Sequence, residues 1–236
     1  MIKYILFDLD GTLLPMDQDK FFSAYFNALA KHVAHLGYST KEIGGAIWQS
    51  SREMMKNDGS RLNEEIFWES FAGFLGDKVL ECQADFDSFY IAEFDKVSAA
   101  TDPNPRVPEI IKELKAKGYT LAIATNPMFP RVATRSRIAW AGLDVADFEF
   151  FTTYEDHRHC KPNLDYYRDV MTLLGANAED CIMVGNDTLE DMIAEKLGMK
   201  VFLITQCLIN NNNIDIEKYP HGTFDDLVDY LNEING

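Results

Sequence analysis

Two aspartates flank Leu9 in Asp8-Leu9-Asp10-Gly11-Thr12, directly after the apolar run Tyr4-Ile5-Leu6-Phe7. Further along stand Thr125-Asn126, Lys161-Pro162 and Gly185-Asn186-Asp187-Thr188-Leu189-Glu190-Asp191. Singly, each has an ordinary explanation: Asp8 or Asp187 as a helix cap, Thr125 closing a turn, Lys161 as a solvated charge. Together they suggest chemistry. Asp8, Asp187 and Asp191 in one place would crowd carboxylates at a cost that a cation relieves. Mg2+ suits such a set, being held typically by one or two carboxylates, waters and a substrate phosphate oxygen. A carboxylate such as Asp8 can attack phosphorus and form an acyl phosphate, which splits hydrolysis into two easier steps. Asp10, on a different side of the chain end, can protonate the leaving oxygen and then activate water. The hydroxyl and backbone N–H groups near Thr125 can hold the transferring phosphoryl while Lys161 offsets its charge.

The elements that must position these residues follow from periodicity. Residues 2–7 predict a buried strand, stopped by a turn at Gly11. From about Pro15 to Ala100 the pattern is helical. Phe22, Phe26, Leu29, Val33 and Leu36 recur at helical spacing up to Gly37, and Ser39 with Glu42 forms a capping-box start for a second helix. A third helix carries Ile66, Phe67, Phe71, Phe74 and Leu75, and a fourth spans roughly 86–97. Their aromatic stripes predict packing between helices. After the proline-marked linker 101–105, strands are expected at 119–124, 148–153, 181–184 and 201–204. Helices are expected at 107–117, 132–141, 164–174, 189–197 and 224–234. The loop 210–213, four asparagines, reads as exposed and without function. Apolar strands alternating with helices predict an α/β fold, a parallel sheet covered on both faces. Ligands of such sheets bind outside the carboxyl ends of the strands. The polar motifs fall in sequence at those ends.

In order and spacing these four motifs resemble those of the haloacid dehalogenase superfamily of hydrolases, over essentially the whole chain. The resemblance implies a Rossmann-like core, residues 1–14 and 101–236, with an α-helical cap inserted at 15–100. It also implies Asp8 as nucleophile, Asp10 as acid and base, and phosphate held by Thr125, Asn126 and Lys161. Mg2+ would be held by Asp8, the Asp10 carbonyl and Asp187, with Asn186 and Asp191 behind them. The fourth motif commonly opens with Gly-Asp or paired acids; here Asn186 follows Gly185. The metal role therefore passes to Asp187. Dehalogenases and phosphonate hydrolases resemble the first motif without a counterpart of Asp10, so the expected reaction is hydrolysis of a small phosphorylated metabolite. A phosphosugar mutase of the β-phosphoglucomutase type uses the same core residues, and a non-catalytic binding module on this scaffold is the alternative from another class.

Composition bounds the rest. A formal charge of −16 at pH 7 argues against nucleic acid as partner, because binding it begins with neutralising phosphates. Hydrophobic residues make up 47% of the 236, enough for a substantial core. Cys82, Cys160, Cys181 and Cys207 show no paired spacing, so free thiols are expected. No signal peptide and no apolar stretch of membrane-spanning length is apparent. The expectation is a soluble cytoplasmic protein, monomer or homodimer. Asp17, Lys20, Arg52, Arg131, Arg135, His157 and His159 are candidates for substrate contact, each with a solvated role as its ordinary reading.

Overall fold

Strand β1 (Tyr4–Phe7) lies at the centre of the architecture in a computed structural model that describes residues 1–235. It pairs in parallel with β2 (Thr120–Ile123) on one side and β3 (Cys181–Gly185) on the other. β4 (Lys200–Ile204) and the two-residue β5 (His221–Gly222) complete a five-stranded parallel sheet in the order β2-β1-β3-β4-β5. Successive side chains of a strand point to opposite faces, and here both faces are covered. Ile5, Phe7, Ile123, Ile182 and Val184 pack under α5 (Arg106–Ala116), α6 (Arg131–Trp140) and α8 (Phe224–Asn235). Leu6, Ala122, Met183, Val201 and Leu203 pack under α7 (Leu164–Leu174) and residues 192–199. Strands buried on both faces explain why their sequences are continuous apolar runs.

Between β1 and α5 the chain forms α1 (Gln18–His32), α2 (Thr40–Met55), α3 (Asn63–Leu75) and α4 (Gln83–Ala92). The Ser39 hydroxyl accepts from the Glu42 amide and the Glu42 carboxylate from the Ser39 amide, the capping box expected for α2. These helices are cemented by aromatic rings. Tyr25 sits 5.5 Å from Phe129, and Phe94 lies 4.8 Å from Trp140, so the helical segment and the sheet side share one apolar cluster. No helix is long and apolar enough to cross a membrane among the described residues, and all four cysteines are free.

Four expectations need correction. The fourth helix begins and ends earlier than 86–97: Glu93 leaves helical geometry at φ −128°, and tighter turns over Phe94–Ala100 swing Phe94 onto Trp140. Residues 148–153 are extended beside β2 and exchange bonds with Leu121 and Ile123, yet only Phe151 makes a bridge. The segment turns away because the Thr152 hydroxyl is drawn to the Thr125 carbonyl at 2.5 Å. The helix expected at 189–197 is a turn followed by a 3-10 helix over Met192–Leu197. There the Asp187 carboxylate captures the Leu189 and Glu190 amides and holds the chain in a tighter turn. The asparagine loop is exposed at Asn211–Asn213 as expected, but it is not without contacts. Asn210 ties Thr188 to Ile214, and Asn211 lines the cavity described next.

Candidate active site

The sheet order reverses direction at β1, and the crevice between β1 and β3 is where such sheets bind ligands. A cavity of about 310 Å3 opens there, lined by Asp8, Asp10, Thr125, Asn126, Asn186, Asp187, Glu190 and Asp191. Of the expected site residues, only Lys161 is absent from that wall, because it lies fully buried beneath it. The Lys161 ammonium donates to Asp8 Oδ1 at 2.9 Å and to Asp191 Oδ1 at 2.6 Å. The other oxygens of these carboxylates are also engaged. Asp8 Oδ2 accepts from the Thr12 hydroxyl at 3.2 Å, and Asp191 Oδ2 from the Asp187 amide at 3.0 Å.

Two glycines make this packing possible. Gly11 has φ +88°, the left-handed region, and a Cβ there would overlap the Asn186 side chain. At Gly185 a Cβ would overlap the Asp191 carboxylate. Asn186 itself is committed to structure: its Oδ1 lies 3.0 Å from the same Thr12 hydroxyl, whose one hydrogen it shares with Asp8 Oδ2, and its Nδ2 donates to the Cys207 carbonyl at 2.6 Å. The Asp187 carboxylate is the more open of the pair. Its Oδ1 receives the Leu189 and Glu190 amides, and its Oδ2 has no hydrogen bond among the described residues.

Electrostatics follow from burial. Burial pushes the Asp8 carboxyl up to about 7; Lys161 pulls it down, while Asp191 and Asp10 add to the rise. Burial likewise raises Asp10 and Asp187 and lifts Glu190 to about 8. For Lys161 burial works against the charge, but Asp191 and Asp8 outweigh it and hold the ammonium well above its usual range. The wall thus carries more carboxylate than its buried lysine balances.

The decisive comparison is with known families: residues 5–204 match the haloacid dehalogenase-like hydrolases. The chain belongs to that family. Among its relatives, the pyrophosphatase PpaX of Bacillus mycoides is 25% identical over 238 residues, covering 100% of this chain and 99% of the relative. PpaX of Halalkalibacterium halodurans is 26% identical over 203 residues, covering 86% and 83%. The fold is shared with a 2-haloacid dehalogenase from Pseudomonas syringae, with TM-score 0.66, 18% identity and 99% of both chains covered. It is shared also with a HAD phosphatase from Thermococcus onnurineus, with TM-score 0.60, 21% identity and 98% of both chains covered.

This haloacid dehalogenase-like site holds two further residues to which the sequence reading gives no role, Arg137 outside the motifs and Glu190 within the fourth. Arg137 on α6 is fully buried, forms an ion pair with Asp10 Oδ2 and lies 4.2 Å from the Phe129 ring centre. A signal for it exists in the sequence: Ala133, Thr134, Arg137 and Ile138 form one buried stripe, and an arginine on an apolar stripe needs a buried partner. Glu190 accepts from the Asn126 amide at 2.9 Å, which ties the second motif to the fourth. Nothing in its spacing distinguishes it from a surface acid. Of the seven substrate-contact candidates, Arg52 alone lines the cavity. Asp17 caps α1, Arg131 pairs with Asp156, His159 with Asp169, and His157 is buried against Thr153.

Proposed function

We propose that the chain is a magnesium-dependent phosphatase that hydrolyses a small phosphorylated metabolite through a phospho-aspartyl intermediate on Asp8. The observation that carries this reading is the unequal state of two neighbouring carboxylates in one cavity. Both oxygens of Asp8 are held, by Lys161 and Thr12, whereas Asp10 Oδ1 is buried with no partner among the described residues. A fixed carboxylate suits attack on phosphorus. A carboxylate with one anchored and one free oxygen suits proton transfer. In the first step Asp8 forms the bond to phosphorus, the ester P–O bond breaks, and Asp10 Oδ1 gives its proton to the departing alkoxide. In the second, Asp10 takes a proton from water as it attacks the phospho-aspartate, releasing phosphate and restoring Asp8. Lys161 holds the nucleophile throughout, and Thr125 lies at the β2 side of the same cavity. A phosphoryl adduct on the peptide carrying Asp8, trapped by acid quench during turnover, tests the reading directly; phosphate release without any adduct overturns it.

The residues fit a magnesium ion. Among the described residues no three acidic, histidine or cysteine side chains form a metal cage, and magnesium asks for none, since it takes one or two carboxylates and keeps waters. Asp8, Asp187 and the Asp10 carbonyl would hold it, and bound there it would offset the charge that burial makes costly on both carboxylates. Asp187→Asn keeps an oxygen to accept the Leu189 and Glu190 amides but removes the charge. We expect apparent Mg2+ affinity to fall by roughly 10-fold or more. Asn186→Ala, which deletes the part-buried bond to Cys207 and the shared one from Thr12, should instead lower stability by about 1–3 kcal/mol and leave Mg2+ affinity within a few-fold. Activity titrated against Mg2+ decides between them, and the reverse ranking would move the ligand to Asn186.

Asp10→Asn should slow hydrolysis of alkyl phosphates by roughly 100-fold or more, the usual worth of a general acid. The loss should be smaller for an aryl phosphate, whose leaving group needs less protonation. Because the neutral amide would leave the buried Arg137 without its counter-charge, melting temperature must be measured alongside. Equal losses for both esters in a folded variant exclude the acid role.

The helical segment 15–100 serves as the cap. Phe22, Trp48, Ser51, Arg52 and Met55, from α1 and α2, line the same cavity as Asp8 and Asp10. A roof of this kind excludes water and sets which leaving group fits.

A further inference from the structure

Behind the catalytic cavity lies a second, smaller chamber of about 70 Å3, walled by α1 to α4 and residues 128–130. Phe22, Trp48, Ser51, Met128 and Phe129 line both spaces, so the chamber adjoins the cleft on the side of the helices, away from the sheet. Its inner wall is apolar: Leu29, Ile47, Phe67, Phe71 and Phe86 contribute, with the ring of Tyr25. The Tyr25 and Tyr90 hydroxyls hydrogen-bond each other at 2.7 Å, one donating and the other accepting, so only one of the two O–H hydrogens is used by the pair. Among the described residues, Asp87 is the one charged group of that wall. In the catalytic cavity the one cation on the wall, among the same residues, is Arg52, facing Asp8, Asp10, Asp187, Glu190 and Asp191.

This distribution of charge separates candidate leaving groups. A second phosphate or a carboxylate on the departing alcohol would meet a largely apolar wall whose one charged group is Asp87, with Arg52 the one cation on the adjoining cavity wall among the described residues. A polyhydroxylated alcohol would lose water against a wall that is mostly ring and aliphatic surface, with few hydrogen-bonding groups such as Ser51 to offer in return. An uncharged apolar tail loses nothing there and removes its own surface from water. The size is also restrictive. The chamber is about half the ~150 Å3 of an apolar cavity that accepts benzene, so it takes the end of a short chain or the edge of a ring.

We propose that the helical bundle selects phosphate monoesters of an alcohol with an uncharged apolar tail, lodged between Leu29, Ile47, Phe67 and Phe71. The assignment rests on the phosphatase reading above and names its substrate class: the P–O bond breaks at Asp8, and the apolar alcohol leaves with the proton from Asp10. Pyrophosphate, whose leaving group is itself an anion, is disfavoured by the same wall.

A series of n-alkyl phosphates from ethyl to hexyl, with Mg2+ present, provides the test. Leaving-group basicity is nearly constant along it, so any trend in kcat/KM reports burial of the tail. We expect a rise of roughly 3- to 5-fold per methylene over at least two added carbons, from the transfer of each into an apolar site, and then a plateau. Glycerol phosphate and pyrophosphate should fall at least about 10-fold below propyl phosphate. Ile47→Phe and Leu29→Phe each fill the chamber and should lower the hexyl-to-ethyl ratio of kcat/KM by about 10-fold or more. Should neither variant fold, the wild-type series decides alone. A flat or falling series, or a preference for pyrophosphate, overturns the leaving-group assignment while leaving the phosphatase reading intact. Absence of phosphate release from every ester and from pyrophosphate overturns both.

Discussion

Asp8→Asn is expected to lower turnover by about three orders of magnitude or more, on every substrate the enzyme accepts. The amide keeps the shape of the side chain and an oxygen that can still meet Lys161, so the cavity should survive. What it loses is the negative oxygen proposed to attack phosphorus, and removal of a covalent nucleophile commonly costs this much or more. Asp8 is held at 2.9 Å by Lys161 and at 3.2 Å by Thr12; Asp191 shares that lysine, but it is almost fully buried and its other oxygen is taken by the Asp187 amide. Asp10, the nearest in sequence, is turned to Arg137. Substrate binding should change little, because the phosphate-facing groups stay in place. Single-turnover assays would separate the two effects, and phosphate release within about 10-fold of the wild type would end the nucleophile assignment. The variant should also fold: a neutral amide escapes the burial that pushes the native carboxyl up, and Asp191 remains at 2.6 Å to balance the buried Lys161.

Much of this site is legible in the sequence because strand ends carry it. β1, β2 and β3 are unbroken apolar runs that stop where the polar motif begins, so Asp8, Thr125 and Asn186-Asp187 fall at one edge of the sheet on sequence grounds alone. What the sequence leaves out are features that depend on contact at long range. Arg137 lies 127 residues from Asp10, and no local pattern joins them. The tight turn after Gly185 arises from Asp187 taking the amides that a regular helix would leave to solvent. Residues 148–153 have strand composition, yet the Thr152 hydroxyl bonds to the Thr125 carbonyl and the chain departs from the sheet. Propensity is right about the local chain there, and tertiary hydrogen bonding overrides it. The aromatic stripes of the helical segment are legible as packing surfaces. That they leave a chamber next to the catalytic cleft is not, because a void is a property of how side chains meet.

Lys161→Met is expected to damage both stability and rate, and the two losses should respond differently to a second change. The ammonium is fully buried and bridges Asp8 and Asp191, so its removal takes away the cation that stands 2.9 and 2.6 Å from their oxygens. Breaking a buried ion pair from one side typically costs about 3–5 kcal/mol, most of it the penalty on the abandoned charge. Turnover should fall by roughly 100- to 1,000-fold, as when one fixed positive group is taken from a developing transition state. Adding Asp191→Asn removes one abandoned charge, since Asp191 serves to hold Lys161 and to accept the Asp187 amide. An asparagine oxygen can still accept that amide. The double variant should therefore recover part of the stability, about 1–2 kcal/mol against Lys161→Met alone. Its turnover should not recover, because Asp8 and the phosphoryl group still lack their cation. Denaturant unfolding and steady-state rates on both single variants and the double variant measure both arms. If the double variant regained activity along with stability, Lys161 would be a structural counter-ion only. If it regained neither, Asp191 would have a role at the site independent of the lysine it binds.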